Sequence, residues 1–277
     1  MHRDIDVVVL MSVYRNDKSE WLTQSIESIM SQSYKKLHLL LSIDGTINEE
    51  LMGVIEKYHK TNTNMTIFSY STSQGLALRL NQMIDYALSN FSSLQYLARM
   101  DADDISHITR IEKQINYLKH NHEVDIVGCN VNELDTTNHN IRLKKMPTQH
   151  NDLVANIIKR CPFNHPTVVM RRRIFEEKGI RYDSSLKNTQ NYKLWVDLIF
   201  NKFKLANIDE ALLTFRVSEN FYKKRGLSKA KNDVKSRLYA IKKLKIHSIK
   251  NYFYVLLILI LRLSPKPVAK FAYNKLR

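Results

Sequence analysis

Apolar residues follow two alternating rhythms along this chain. Ile5 to Val13 (IDVVVLMSV) is an almost unbroken apolar run, the pattern of a strand buried on both faces. A polar turn covers Tyr14 to Ser19, after which Leu22, Ile26, Ile29 and Met30 recur at helical spacing. Leu37 to Ile43 predicts a second strand, Leu51, Ile55 and Tyr58 a second helix, and Met65 to Ser69 a third strand. Leu76, Leu80, Met83, Ile84 and Ala87 share one helical face, and Tyr96 to Met100 reads as a short buried strand ending on a run of acids. Ile108, Ile111, Ile115 and Leu118 are helical again, and Asp125 to Val131 returns to strand.

Strands alternating with helices of these lengths predict right-handed βαβ units, an α/β fold and a mainly parallel sheet. Ligands of such sheets bind beyond the carboxyl ends of the strands. That rule places Asp44, after the second strand, on the same edge as Asp101, Asp103 and Asp104, after the fourth. No G-x-G-x-x-G follows the first strand and no G-x-x-x-x-G-K-[ST] occurs, which argues against a dinucleotide dehydrogenase and a P-loop nucleotidase.

Composition fits a packed globular chain: 277 residues, 44% hydrophobic, with only 6 Gly and 5 Pro. The 2 cysteines, Cys129 and Cys161, form neither a metal motif nor a disulfide framework. No signal peptide precedes the first strand pattern, so a reducing cytoplasmic location is expected.

Charge changes the picture at one end. The formal net charge is +16, yet positions 1–222 hold 27 basic and 26 acidic residues. From Lys223 to Arg277 there are 16 Lys/Arg and a single acid, Asp233. Within this tail Val234, Leu238, Ile241 and Leu244 recur at helical spacing among lysines, and Phe253 to Leu261 reads FYVLLILIL. The apolar run is about half of the ~20 residues a spanning helix needs. It suits a helix lying in the membrane interface or packing on the body. The shortage of acids favours an anionic membrane surface; the other reading is a core helix with a solvated lysine face. Exposed aromatics interleaved with the basic residues are missing, so nucleic acid is not expected as a partner.

The sharpest local feature is Ala98-Arg99-Met100-Asp101-Ala102-Asp103-Asp104. Three carboxylates within four residues repel one another, and an oxygen-only ligand set suits Mg²⁺ or Mn²⁺. The alternative is a helix N-cap, with Asp104 or Ser106 at the positive end of the helix that follows.

Several stretches together resemble one family. They are VVVLMSVYRND (7–17), SIESIMSQSYKKLHLLLSIDG (25–45), QGLALRLNQMIDYAL (74–88), YLARMDADDISHITRIEKQINYL (96–118), HPTVVMRR (165–172), YKLW (192–195) and LLTFRVSENFYKKRG (212–226). In this order they resemble the bacterial family 2 inverting glycosyltransferases with the GT-A fold, over about residues 3 to 226. The tail is similar to the membrane-associating end of enzymes that build O-antigens, capsules and exopolysaccharides. The expected division is a catalytic domain, 1–226, and a basic, partly apolar helical tail, 227–277.

The resemblance implies roles by position. The Tyr14 turn would floor the nucleotide pocket, and Asp44 matches the acid that contacts uracil or ribose. Asp101-Ala102-Asp103 matches the metal-binding D-x-D motif, with Asp103 the direct ligand of Mn²⁺ or Mg²⁺. Arg79 and Arg99 sit where basic side chains approach the nucleotide or its acids; for Arg99 the alternative is a salt bridge within the cluster. His165 matches the histidine of an HPT segment near the acceptor. Arg216 matches the arginine of a Tyr-Arg pair at the diphosphate, here with Phe215 in place of tyrosine. The family usually places an acidic pair before the tyrosine of Y-x-L-W, the second acid being the general base. This chain has Gln190-Asn191 there, and an amide has no useful basicity. Asp183 or Asp197 is a substitute candidate. The implied activity is inverting transfer of a hexose, galactose or glucose, from a UDP-sugar to an undecaprenyl-diphosphate-linked saccharide at the inner face of a bacterial inner membrane. The rival is a catalytically impaired nucleotide-sugar-binding or scaffold member of the family.

Overall fold

A computed structural model describes residues 4–186, 188–217 and 227–264, without side-chain detail at 227–229. The expected domain boundary at 226, the stretch 218–226 and the tail beyond 264 lie outside the described residues.

The first strand, β1 (Val7–Val13), lies inside the sheet and is buried at every position except Ser12. It pairs in parallel with β2 (Leu37–Asp44), Val7 opposite Leu37 and Val13 opposite Ile43. On its other side it pairs in parallel with β4 (Tyr96–Arg99), Leu10 opposite Arg99. Beyond β2 lies β3 (Met65–Tyr70), also parallel. Successive side chains of a strand point to opposite faces. Val7, Val9, Met11 and Val13 enter one core with α1 (Ser19–Met30), α2 (Glu49–Thr61) and α4 (Arg110–His120). Val8 and Leu10 enter the other, with α3 (Leu76–Asn90) and α7 (Gln190–Phe200). Burial on both faces is why these strands read as continuous apolar runs.

The second half of the sheet is mixed. The order across it is β3-β2-β1-β4-β8-β6-β9-β5, with β7 on β6. The short β8 (Val169–Arg171) runs antiparallel to both β4 and β6 (Val124–Asp135). The long β9 (Lys204–Val217) runs parallel to β6, and β5 (Ile105–Ser106) is antiparallel to β9. The remaining pieces are β7 (Ile141–Lys144), α5 (His150–Ala155) and α6 (Arg173–Glu176). One apolar position departs from the helical expectation. Ile108 precedes α4, which is capped at Thr109, and its side chain is 53% exposed. Its carbonyl instead accepts a hydrogen bond from Ser33 N at 2.9 Å.

Two helices follow the sheet, α8 (Leu227–Leu244) and α9 (Ile249–Leu263). They pack on the body through a third apolar cluster, in which Tyr192 and Val196 of α7 meet Ala240 and Ile241 of α8 and Val255 of α9. Arg237 lies 4.0 Å over the Tyr192 ring, and the Tyr239 hydroxyl donates to Asp197. Among the described residues no helix is long and apolar enough to cross a membrane.

Candidate active site

The parallel strands β1, β2 and β4 end together, so their carboxyl-end loops share one rim. After β4 the chain alternates. Met100 and Ala102 point into the core, whereas Asp101 and Asp103 are partly exposed. Asp104 is buried. One carboxylate oxygen from each of Asp101, Asp103 and Asp104 lies within 4.8 Å of the others. Asp104 does not cap a helix: α4 begins later, and Asp104 Oδ1 accepts the Arg216 backbone N–H at 3.0 Å. Its other oxygen, Oδ2, is buried with no hydrogen-bond partner.

Burial, with the neighbouring Asp101 charge, pushes the Asp103 carboxyl up to about 6. Burial pushes Asp104 well above the usual carboxylate range, and Asp103 and Asp101 add to it. Three acids gathered this way are costly without a neutralising cation. An orphaned carboxylate oxygen beside two further acids is an all-oxygen donor set that fits Mn²⁺ or Mg²⁺.

Cationic side chains surround this cluster. Arg99 is buried, pairs with Asp101 and donates to the Leu10 carbonyl at 3.2 Å. Arg216, near the end of β9, donates to the Asp103 carbonyl and to Gln24 Oε1, and lies 5.5 Å over the Trp21 ring. Ser25 donates to the Asp101 carbonyl at 2.8 Å, so α1 buttresses the acid loop. Tyr14 follows β1 and is half-exposed, and burial with the charges of Asp17 and Asp103 raises its phenol.

Asp44 and Arg79 form a second unit on the same rim. Asp44 accepts from Ser73 Oγ at 2.8 Å, Gln74 N and Gly75 N at 2.9 Å, and Arg79 Nε at 2.7 Å. Burial pushes its carboxyl up, but these bonds outweigh that and hold it below the usual range. The turn depends on two glycines at positive φ, Gly45 at 87° and Gly75 at 93°. A Cβ at Gly45 would sit 3.0 Å from Ser73, where only glycine fits without strain. Arg79 also donates to Gln82 Oε1 and the Thr72 carbonyl, with Tyr70 stacked 3.7 Å away.

His165 reaches the rim by a different route. It opens a single 3₁₀ turn (His165–Thr167) ahead of β8. Because β8 is antiparallel to β4, with Val169 opposite Ala98, its starting end lies at the finishing end of β4. His165 Nε2 is 3.0 Å from the Tyr182 hydroxyl. Burial, reinforced by the Arg99 charge, holds its imidazole well below the usual histidine value, so it is neutral. Tyr182 is fixed by Asn81, which accepts its N–H at 2.9 Å and donates to its carbonyl at 2.8 Å.

The two base candidates sit nearby in sequence but are both occupied. Asp183 accepts from Ser185 N at 3.0 Å and Oγ at 2.6 Å, with Lys193 Nζ at 3.8 Å. The Ser185 bonds hold its carboxyl below the usual range despite partial burial. Asn191, in the first turn of α7, accepts the Tyr192 N–H at 2.8 Å. Asp197 is taken by Lys193 at 2.9 Å and by Tyr239.

Sequence reading missed Trp21, Gln24, Tyr182 and Lys193. Trp21, Gln24 and Tyr182 act through partners far away in the chain, and Lys193 through carboxylates that the helix α7 and the loop before it bring beside it. The orphaned oxygen of Asp104 was likewise hidden, since its burial depends on β9.

The model of glycosyl transferase family 2 matches residues 8–179. The chain is 31% identical over 270 residues to the amylovoran biosynthesis glycosyltransferase AmsE of Erwinia amylovora, covering 96% of this chain and 97% of that protein. It is 25% identical over 218 residues to the UDP-Gal:alpha-D-GlcNAc-diphosphoundecaprenol beta-1,3-galactosyltransferase of Escherichia coli, covering 79% of this chain and 76% of that one. The mannosyltransferase PcManGT from Pyrobaculum calidifontis, solved with GDP-Man and Mn²⁺, superposes with a TM-score of 0.65 at 13% sequence identity, covering 97% of this chain and 78% of that chain. That structural likeness carries the GT-A fold expected from the sequence. The matched span takes in β1, the aspartate cluster and His165, and with the likeness to AmsE it leaves one conclusion: the chain belongs to glycosyl transferase family 2.

Proposed function

We propose that the protein is a metal-dependent inverting hexosyltransferase of surface-polysaccharide assembly, moving galactose or glucose from a UDP-sugar to a lipid-linked saccharide. The observation that carries this reading is the three-aspartate cluster at the carboxyl rim with Asp104 Oδ2 unpartnered. Asp101 and Asp103 would hold Mn²⁺ or Mg²⁺. When bound, the ion offsets the charge that develops on the departing diphosphate. A UDP donor and an undecaprenol-diphosphate acceptor are supported by the name of the E. coli relative, and polysaccharide assembly by that of AmsE. The Mn²⁺ complex of the mannosyltransferase supports the metal.

The protein's own groups divide the work. The Asp44–Arg79 unit shapes the nucleoside end of the rim, and the Tyr14 turn forms its floor. Arg99 holds Asp101 in place, and Arg216 meets diphosphate charge beside Asp103. The acceptor hydroxyl attacks the anomeric carbon from the face opposite the diphosphate. A C–O bond to the acceptor forms, the bond to the diphosphate breaks, and the hydroxyl proton passes to a base. Neutral His165, held by Tyr182, orients that hydroxyl on the acceptor side. The enzyme works at the inner face of a bacterial membrane, where such an acceptor resides, and reaches it through its tail.

A second reading is favoured by Asn191 and by the occupied Asp183. It is a nucleotide-sugar-binding or scaffold member with weak transfer. Base catalysis is worth about 10²–10⁴-fold, so its loss slows transfer without abolishing binding. The deciding experiment is transfer of labelled galactose or glucose from the UDP-sugar to undecaprenyl-diphosphate-GlcNAc, with Mn²⁺ and with EDTA. Metal-dependent product supports the enzyme. UDP-sugar binding without product supports the second reading.

A further inference from the structure

The α8–α9 hairpin presents two unlike stripes to solvent. On α9, Val255 is buried against the body. Ile249, Tyr252, Phe253, Leu256, Ile260 and Leu263 are all exposed, Ile249 by 91% and the others by about half. At 100° per residue these six fall within one arc of about 100°, whose centre lies about 110° round the helix from Val255. A water-soluble face of this kind would normally be polar.

Among residues 230–244 of α8 the exposed ones are Lys231, Lys235, Leu238 and Lys242. Their spacings of three and four residues put them on one line. Lys231 and Lys235 line a shallow groove with Leu259 of α9, so the lysine line borders the apolar stripe. Asp233, the one acid after Lys223, is buried and ion-paired with Arg262 at 2.6 Å.

We propose that this face docks on an anionic bilayer surface, with the apolar stripe of α9 sunk into the headgroup boundary and the lysine line of α8 on the lipid phosphates. The 15 residues of α9 make a helix of about 22 Å, too short for the ~30 Å hydrocarbon core, so it lies along the interface rather than across it. Charge complementarity selects anionic lipid over a neutral surface. The hairpin is not a loose tether: Tyr239 and Arg237 join α8 to α7, and Lys243 lies 4.2 Å over Phe200 at the end of α7. Docking therefore sets the orientation of α7, whose first turn carries Asn191, relative to the membrane. The inference deepens the proposed function, resting on its lipid-linked acceptor, and names the surface that reaches it.

The test uses the full chain with two double variants, Leu256→Ser with Ile260→Ser and Lys235→Gln with Lys242→Gln. All four side chains are exposed, so both variants should melt with the wild type; if the serine variant does not fold, Ile249→Ser replaces it. Flotation is measured with phosphatidylglycerol-containing vesicles and with pure phosphatidylcholine vesicles. The wild type is expected to float with the anionic vesicles only. Each variant should lose about tenfold or more in partitioning, since one interfacial lysine is worth roughly fivefold. Equal binding of wild type and serine variant, or equal binding to both vesicle types, overturns the proposal. So does a wild-type dimer in light scattering that the serine variant converts to monomer without any vesicle binding, because the face would then join two copies. A kinetic arm separates the two readings. The serine variant should raise KM for acceptor in vesicles and leave transfer to a short-chain soluble acceptor unchanged. Vesicle binding without transfer to either acceptor would sink the proposed activity and leave the docking face standing.

Discussion

Arg79 Nε lies 2.7 Å from Asp44 Oδ1, with both side chains buried. The pair joins the end of β2 to the first turn of α3, and besides Arg79, Asp44 accepts three further hydrogen bonds, from Ser73, Gln74 and Gly75. Removing one partner of a buried pair strands the other charge, at about 3–5 kcal/mol. Asp44→Ala is expected to lose stability of that order in urea unfolding. Adding Arg79→Met should cost less than the sum of the single changes, because the stranded guanidinium is then gone. Full additivity would show that the two side chains do not act as a unit.

Asp103 and Asp104 predict opposite behaviours with and without metal. Asp103→Ala should abolish Mn²⁺-dependent UDP-sugar binding in calorimetry; unchanged binding would refute its metal role. Asp104→Asn keeps an oxygen for the Arg216 N–H but removes one of three mutually repelling carboxylates. In EDTA it should melt at or above the wild-type temperature. With Mn²⁺ and UDP it should show a smaller rise than wild type, since ligand stabilisation follows affinity.

The environment of His165 gives a pH dependence with a definite sign. Its folded value lies well below the ordinary 6.5, through burial first and the Arg99 charge second. The unfolded chain therefore binds the proton more readily. The stabilising contribution is complete above about pH 6.5 and is lost as pH falls towards the depressed folded value. His165→Gln should flatten the stability profile below about pH 6.5. An identical profile in wild type and variant would show that His165 is not buried neutral.

Asn191 tests whether a base was lost. Asn191→Asp should raise kcat, by up to about 10²-fold if the carboxylate reaches the acceptor hydroxyl, with little change in UDP-sugar affinity. A new ionisation on the acidic limb of the kcat profile would accompany it. No change in either would mean that proton transfer is handled elsewhere or does not limit the rate.

The chain's local pattern by itself determined the parallel half of the molecule. Val7–Val13 and Leu37–Asp44 are mostly apolar because both faces are covered, and helices such as α3 show their buried faces at 3.6-residue spacing. The clustering of Asp101, Asp103 and Asp104 and the basic character of the tail were equally visible, being facts of composition. Tertiary structure decided the rest. The antiparallel seating of β8 brings His165 to the end of β4, the pairing of β5 with β9 seats the Arg216 amide on Asp104, and α8 anchors on α7 through Tyr239 and Asp197. Ile108 looked like one more core position, yet it is exposed because α4 starts two residues later. The physical reason is common to these cases. Periodicity records whether a residue meets the interior, while the identity of its partner is fixed by strand order and direction, which leave no mark on neighbouring residues.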